Sequence, residues 1–115
     1  MDSPASRSRA GQITWARRSD IPPGAATAEQ VALMDSLVNG TVSAPEFARS
    51  WLAARREALW RNERLREPFS AALDRVFWAL EDYSIDPALR DETDLTDPEL
   101  VATIRAVLSE IDRLG

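Results

Sequence analysis

From residue 27 onward, apolar positions recur every three to four residues in four blocks separated by turn residues, the spacing of amphipathic helices. The first block opens at "TAEQ", where Thr27 and Gln30 have capping-box spacing, and carries Val31, Met34 and Val38. Asn39–Gly40 ends it, glycine suiting the left-handed position past a helix. The second opens at "SAPE", with Ser43 as N-cap, Glu46 as its partner, and Pro45 in the first turn, where a missing N–H costs little. Phe47, Trp51, Ala54, Ala58 and Leu65 share one face there, widened by Ala48, Leu52 and Leu59. The third begins near Pro68 and carries a stripe of Phe69, Ala72, Leu73, Val76, Phe77 and Leu80. The fourth opens with "TDPEL", Thr96 or Asp97 capping and Pro98 at its start, and aligns Leu100, Ile104, Val107, Leu108 and Ile111. No one of these helices can bury its stripe alone, whereas four packed antiparallel can. The expected fold is all-α: an antiparallel, up-down four-helix bundle over residues 27–115.

Residues 1–26 follow no such period. They are rich in Ser, Arg, Ala, Pro and Gly, and "IPPG" closes them off, so a flexible, mostly disordered N-terminal arm is expected. Within it, "QITWARR" alternates Ile13 and Trp15 with polar residues. It reads either as a short extended piece docking back on the domain or as an unfolded arm with one stray aromatic.

Composition narrows the chemistry. A chain of 115 residues is expected to form one domain with a single modest core. No apolar run approaches the roughly 18–20 residues of a membrane span, and "MDSPASRSRAGQ" lacks the apolar region of a secretory signal, so a cytoplasmic protein is expected. Cysteine is absent, which excludes disulfides, thiolate metal sites and cysteine nucleophiles. Histidine is absent too, removing the usual general base and the commonest metal ligand. All 14 basic residues are arginine, so lysine Schiff-base chemistry is excluded. Only carboxylate- or tyrosine-based catalysis survives, and a non-enzyme without cofactor or metal is expected. "DETDLTD" sets Asp91, Asp94 and Asp97 three apart, without the alternation or the glycine of a calcium loop.

Charge then locates a candidate surface. Residues 1–80 hold 11 Arg against 9 acids, while residues 81–99 hold 8 acids against Arg90 alone. The net charge of −5 is therefore almost wholly local. Nucleic acid is a poor direct partner for such a face, and a basic protein surface a good one. Acids at the start of the fourth helix complement its dipole, which accounts for Asp97 and Glu99. Glu81 and Asp82 sit instead at the end of the third helix, where negative charge is unfavourable, and imply a requirement other than stability. Trp78 lies roughly opposite the third helix's stripe, in a row with Asp74 and Glu81. It is either covered by a neighbouring segment or an exposed aromatic anchor beside the acids. Trp60, also off-stripe, is expected to be covered. Arg55 points to an apolar face and is expected to pair internally with a carboxylate of the third helix or the acidic connection.

The order of these features resembles a known family. "LMDSLVNGTVSAPEFARSWLAARREAL" is similar to the first half of the colicin D immunity protein and the wider bacterial self-protective colicin-like immunity family. The shared features are a short first helix, a small polar turn, and "[ST]-A-x-E-F" opening a helix with a paired arginine. "VFWALEDYSIDPALRDETDLTDPELVATIRAVLSEI" resembles the second half: an aromatic-rich helix ending in "E-x-[FY]", here Glu81 and Tyr83, a D-x-x-x-R connection, and a final helix opened by an acidic turn. The likeness spans about residues 28–114. It implies a small acidic helical protein that binds and inactivates a cognate cytotoxic nuclease one to one, its acidic surface standing in for substrate phosphates in the toxin's basic cleft. By position Glu81 and Asp86 match the family's acids. Asp82, Asp91, Glu92 and Asp94 join them by charge, with Asp74, Trp78 and Tyr83 completing the candidate toxin-binding set. A free chain is expected to be monomeric. The rival reading is a helical adaptor that uses the same acidic surface on a basic cellular protein.

Overall fold

The computed structural model describes residues 13–89, 91–92 and 94–114, with the backbone alone for Ile13 and Pro87. A short strand β1 (Ile13–Trp15) precedes helices α1 (Ala26–Asn39) and α2 (Ala44–Trp60); strand β2 (Glu63–Leu65) then leads into α3 (Phe69–Glu81) and α4 (Asp97–Arg113). Two 3-10 turns, Arg18–Asp20 and Pro87–Leu89, lie in the connections. The protein is mostly helical, as expected, with a two-stranded parallel sheet in addition.

The helices end where local chemistry ends them. Gly40 takes φ +80° past α1, and its N–H returns to the Leu37 carbonyl at 3.1 Å. The Ser43 hydroxyl accepts from the Glu46 N–H at 3.3 Å and caps α2. At α4 the Thr96 hydroxyl accepts from the Glu99 N–H at 3.2 Å, while the Glu99 carboxylate accepts from the Thr96 N–H at 2.9 Å, a complete capping box. All five stripe residues of α4 are buried, as are Phe69, Ala72, Leu73, Val76 and Leu80 of α3, with Phe77 half-buried. They meet Met34 and Leu37 of α1 and Phe47 and Trp51 of α2 in one core. Within it α1 packs on α2 and α4, and α3 packs on α4.

Three expectations are corrected. Leu65 does not belong to the α2 face: the helix stops at Trp60, and Asn62 at φ +60° turns the chain into β2. A left-handed residue breaks the helical hydrogen-bond ladder, and asparagine tolerates that conformation better than most. Leu59 consequently lies outside the core, 63% exposed. Thr27 is not the N-cap of α1 either. It lies inside the helix, buried, and the cap comes from far along the chain. The Glu63 carboxylate accepts from the Ala26 N–H at 3.0 Å and from the Thr27 N–H at 2.8 Å, and from the Thr27 hydroxyl at 2.7 Å.

The third correction concerns the arm. Residues 1–12 lie outside the described residues, but 13–25 are tied down. β1 pairs in parallel with β2, Thr14 opposite Arg64 and Trp15 opposite Leu65, and the Arg66 N–H donates to the Trp15 carbonyl at 2.8 Å. The α1–α2 pair supplies the long crossover that a parallel pairing needs. Trp15 is buried. Arg18 pairs with Asp35 of α1 and, at 3.5 Å, with Asp112 of α4. Arg61 donates to the Gly24 carbonyl at 3.1 Å. From Ile13 on, "QITWARR" is thus the docked extended piece, the first of its two readings.

Candidate functional site

The acidic stretch joins α3 to α4 and is held at both ends. Asp82 closes α3, its N–H returning to the Ala79 carbonyl at 3.1 Å. Tyr83, next in line, is 5% exposed and donates its hydroxyl to Asp97 Oδ1 at 2.8 Å. The Leu95 N–H donates to the Asp82 carbonyl at 2.7 Å. The first and last residues of the connection are therefore pinned to each other, which brings Asp94 back towards the end of α3. Between them the Asp86 carboxylate accepts from the Ala88 N–H at 3.0 Å, and the Asp94 carboxylate from the Asp91 N–H at 3.0 Å. Each Asp bends the chain by capping a backbone donor, the habit that places this residue type in turns.

Glu81, Asp82, Asp86, Asp91 and Glu92 are exposed, and Asp94 is half-buried. Among the described residues, no arginine forms an ion pair with Glu81, Asp82, Asp86, Glu92 or Asp94. Carboxylates elsewhere are used internally: Asp35 by Arg18, Glu57 by Arg61, and Glu110 by Arg75. Glu99 is held below the ordinary carboxylate range, first by the Thr96 N–H and then by the Thr96 hydroxyl.

Trp78 is 63% exposed, one turn before Asp82, and meets Phe77 edge-on at 5.6 Å between ring centroids. The anchor alternative is the one this exposure supports. Beneath it the Arg55 guanidinium lies 4.4 Å from the Phe77 ring centroid and donates to Asp74 at 3.4 Å, the internal pairing expected of Arg55. Trp78, Ala79, Asp82, Leu95, Val107 and Glu110 line a shallow groove between α3 and α4, directly beside the acids.

Six of the nine candidate residues, Trp78, Glu81, Asp82, Asp86, Asp91 and Glu92, are thus exposed, and Asp94 is half-buried. Two serve the frame instead: Tyr83 is buried and holds the connection to α4, and Asp74 is engaged by Arg55. Arg90, the single arginine of the stretch, lies outside the described residues. Sequence reasoning missed the groove. Its signal was available in the small residues Ala79, Thr103 and Ala106, whose short side chains leave a furrow where two helices pack. Trp60, expected to be covered, is 83% exposed. The α2 helix ends beside it, and nothing described packs over its ring.

With the geometry in place, comparison with protein families is decisive. The family model of bacterial self-protective colicin-like immunity matches residues 26–114, that is, all four helices and the acidic connection. The chain belongs to that family. No curated protein and no solved structure matches it. This member of the colicin-like immunity family is therefore an immunity protein whose partner is a toxin. The matched region begins with α1, so β1 and the docked arm lie before the family's boundary.

Proposed function

We propose that this immunity protein neutralises a nuclease toxin of RNase or tRNase type by covering its basic active-site cleft with the acidic corner between α3 and α4. The observation that supports the reading is that no described arginine pairs with Glu81, Asp82 or Asp86, in a molecule whose arginines pair with seven other acids, on a connection pinned at both ends. Carboxylates facing Arg, Lys and protonated His in a nuclease cleft form charge-assisted hydrogen bonds where substrate phosphates would otherwise lie. Opposite fields also speed capture, towards roughly 10⁸–10⁹ M⁻¹s⁻¹ at low salt. Speed counts because the toxin has to be met before it reaches RNA. Trp78 supplies an apolar anchor beside the charges, the kind of residue that dominates interface energetics. The proposal includes a one-to-one inhibitory complex, formed in the cytoplasm where RNA is at risk, and an up-down order of the helices, which the contacts at both ends of the α3–α4 pair support.

The test is co-purification with the product of the adjacent gene, followed by titration of wild type, Glu81→Arg and Asp86→Arg. Both variants are expected to lose roughly tenfold or more in affinity and to keep their thermal stability. Unchanged affinity in both would remove the acidic corner from the interface.

A further inference from the structure

Four large hydrophobic side chains are strongly exposed among the described residues: Leu59 at 63%, Trp60 at 83%, Trp78 at 63% and Leu89 at 75%. They fall into two pairs of opposite electrical setting. Trp78 lies within a turn of Glu81 and Asp82 on α3, and the Leu89 N–H donates to the Asp86 carbonyl at 2.9 Å. Leu59 and Trp60 stand among arginines: Arg56 lies one turn before Trp60 on α2, and Arg64 shares with Leu59 the lining of a cleft beside β2. Arg56 and Arg64 are exposed and form no ion pair with a described carboxylate. The acids nearest them are already occupied, Glu57 by Arg61 at 2.7 Å and Glu63 by the α1 N-terminus, while Arg66 and Glu67 offset each other in charge. An aromatic left in water beside unpaired arginines marks an interaction surface.

We infer that this basic, tryptophan-bearing end of α2 docks on the acidic, tryptophan-bearing corner of a second copy of the same chain. The two surfaces are complementary in both respects, an exposed aromatic beside positive charge against an exposed aromatic beside negative charge. They cannot meet within one molecule. β2 leads from the basic end into the start of α3, the acidic corner lies at the helix's far end, and its 13 residues separate the two by about 20 Å. Two dissimilar patches give a head-to-tail contact, which leaves one free patch at each end of a dimer and continues into larger species unless the rotation closes a ring. The free chain therefore self-associates, in place of the monomer expected from its sequence. The inference stands independently of the toxin's identity. Because both contacts use the acidic corner, a corner docked on a second copy is closed to toxin, while the free corner at the end of an assembly stays open.

Sedimentation velocity on the full chain at low salt tests it. The average mass is expected to rise with concentration above that of one chain and to fall back when salt is raised. Arg56→Gln/Trp60→Ser and Trp78→Ser/Asp82→Asn, each with one patch disabled and neutralised, are expected to weaken association roughly tenfold or more. Mixed in equal amounts, they restore a single intact contact and form a one-to-one dimer and nothing larger. Wild type that stays monomeric at every concentration overturns the inference. So does association that both variants retain, a mixture that forms no dimer, or a wild-type basic end that binds RNA while the chain stays monomeric. Toxin affinity of Arg56→Gln/Trp60→Ser, which leaves the acidic corner intact, separates this outcome from failure of the inhibitory reading.

Discussion

Glu63 lies 9% exposed in a short strand, yet its carboxylate closes the start of a helix 36 residues earlier. The first N–H groups of a helix have no partner within it, and the partial positive charge at that end favours an anion. Glu63→Ala leaves the Ala26 and Thr27 donors unsatisfied in a buried setting and is expected to cost about 3 kcal/mol in chemical denaturation. Glu63→Gln keeps one acceptor oxygen and is expected to cost about half as much. A loss near zero for Glu63→Ala would mean that water serves these donors as well. The capping was not legible beforehand, because nothing local links residue 63 to residue 27. Gly40 is the opposite case. Its left-handed backbone, φ +80°, was readable from the Asn-Gly pair alone, and Gly40→Ala is expected to cost about 1 kcal/mol.

At the scale of elements, caps and stripes decide boundaries. The α4 stripe matches its burial residue for residue, because a 17-residue helix with Pro in its first turn and a capping box has little freedom to slide. Thr96→Ala is expected to lower stability by about 1 kcal/mol. Glu99 adds a pH dependence. Its folded carboxyl lies below the unfolded value, so its contribution is fully present above about pH 4.3 and is lost as pH falls through the folded value. The stability gap between wild type and Glu99→Gln is accordingly expected to be widest near neutrality and to close in acid, as urea melts across that range will show. α2 shows where periodicity misleads. Leu65 has the right spacing for its face, but spacing carries no information about Asn62 leaving helical space first. The strand that follows is what receives β1. Trp15→Ala is expected to cost about 3 kcal/mol, the usual loss for truncating a buried aromatic. A loss below about 0.5 kcal/mol would show that the arm contributes nothing to the fold.

At the scale of the molecule, charge is sorted by position. Arginines of the arm, α2, the turn after α2 and α3 take up Asp35, Glu57, Asp74, Glu110 and Asp112, and Glu81 and Asp82 at the end of α3 are exposed. Toxin affinity is therefore expected to fall steeply with ionic strength, and the fall to be shallower for Asp82→Asn than for wild type, in titrations between low and physiological salt. Trp78→Ala is expected to lose affinity by roughly tenfold or more with no change in salt dependence, since the indole contributes apolar contact and no charge.

The acidic stretch, the helix count and three of the four helix starts were determined by sequence alone, because each depends on side chains within a turn or two of one another. The family was equally legible, since it rests on the order of those same local features. Exposure of Trp60 and Trp78, burial of Tyr83, the β1–β2 pairing and the Glu63 cap were decided only in three dimensions. Each depends on which segments meet across the core. That outcome is set by the packing of all four helices together, and no local spacing encodes it.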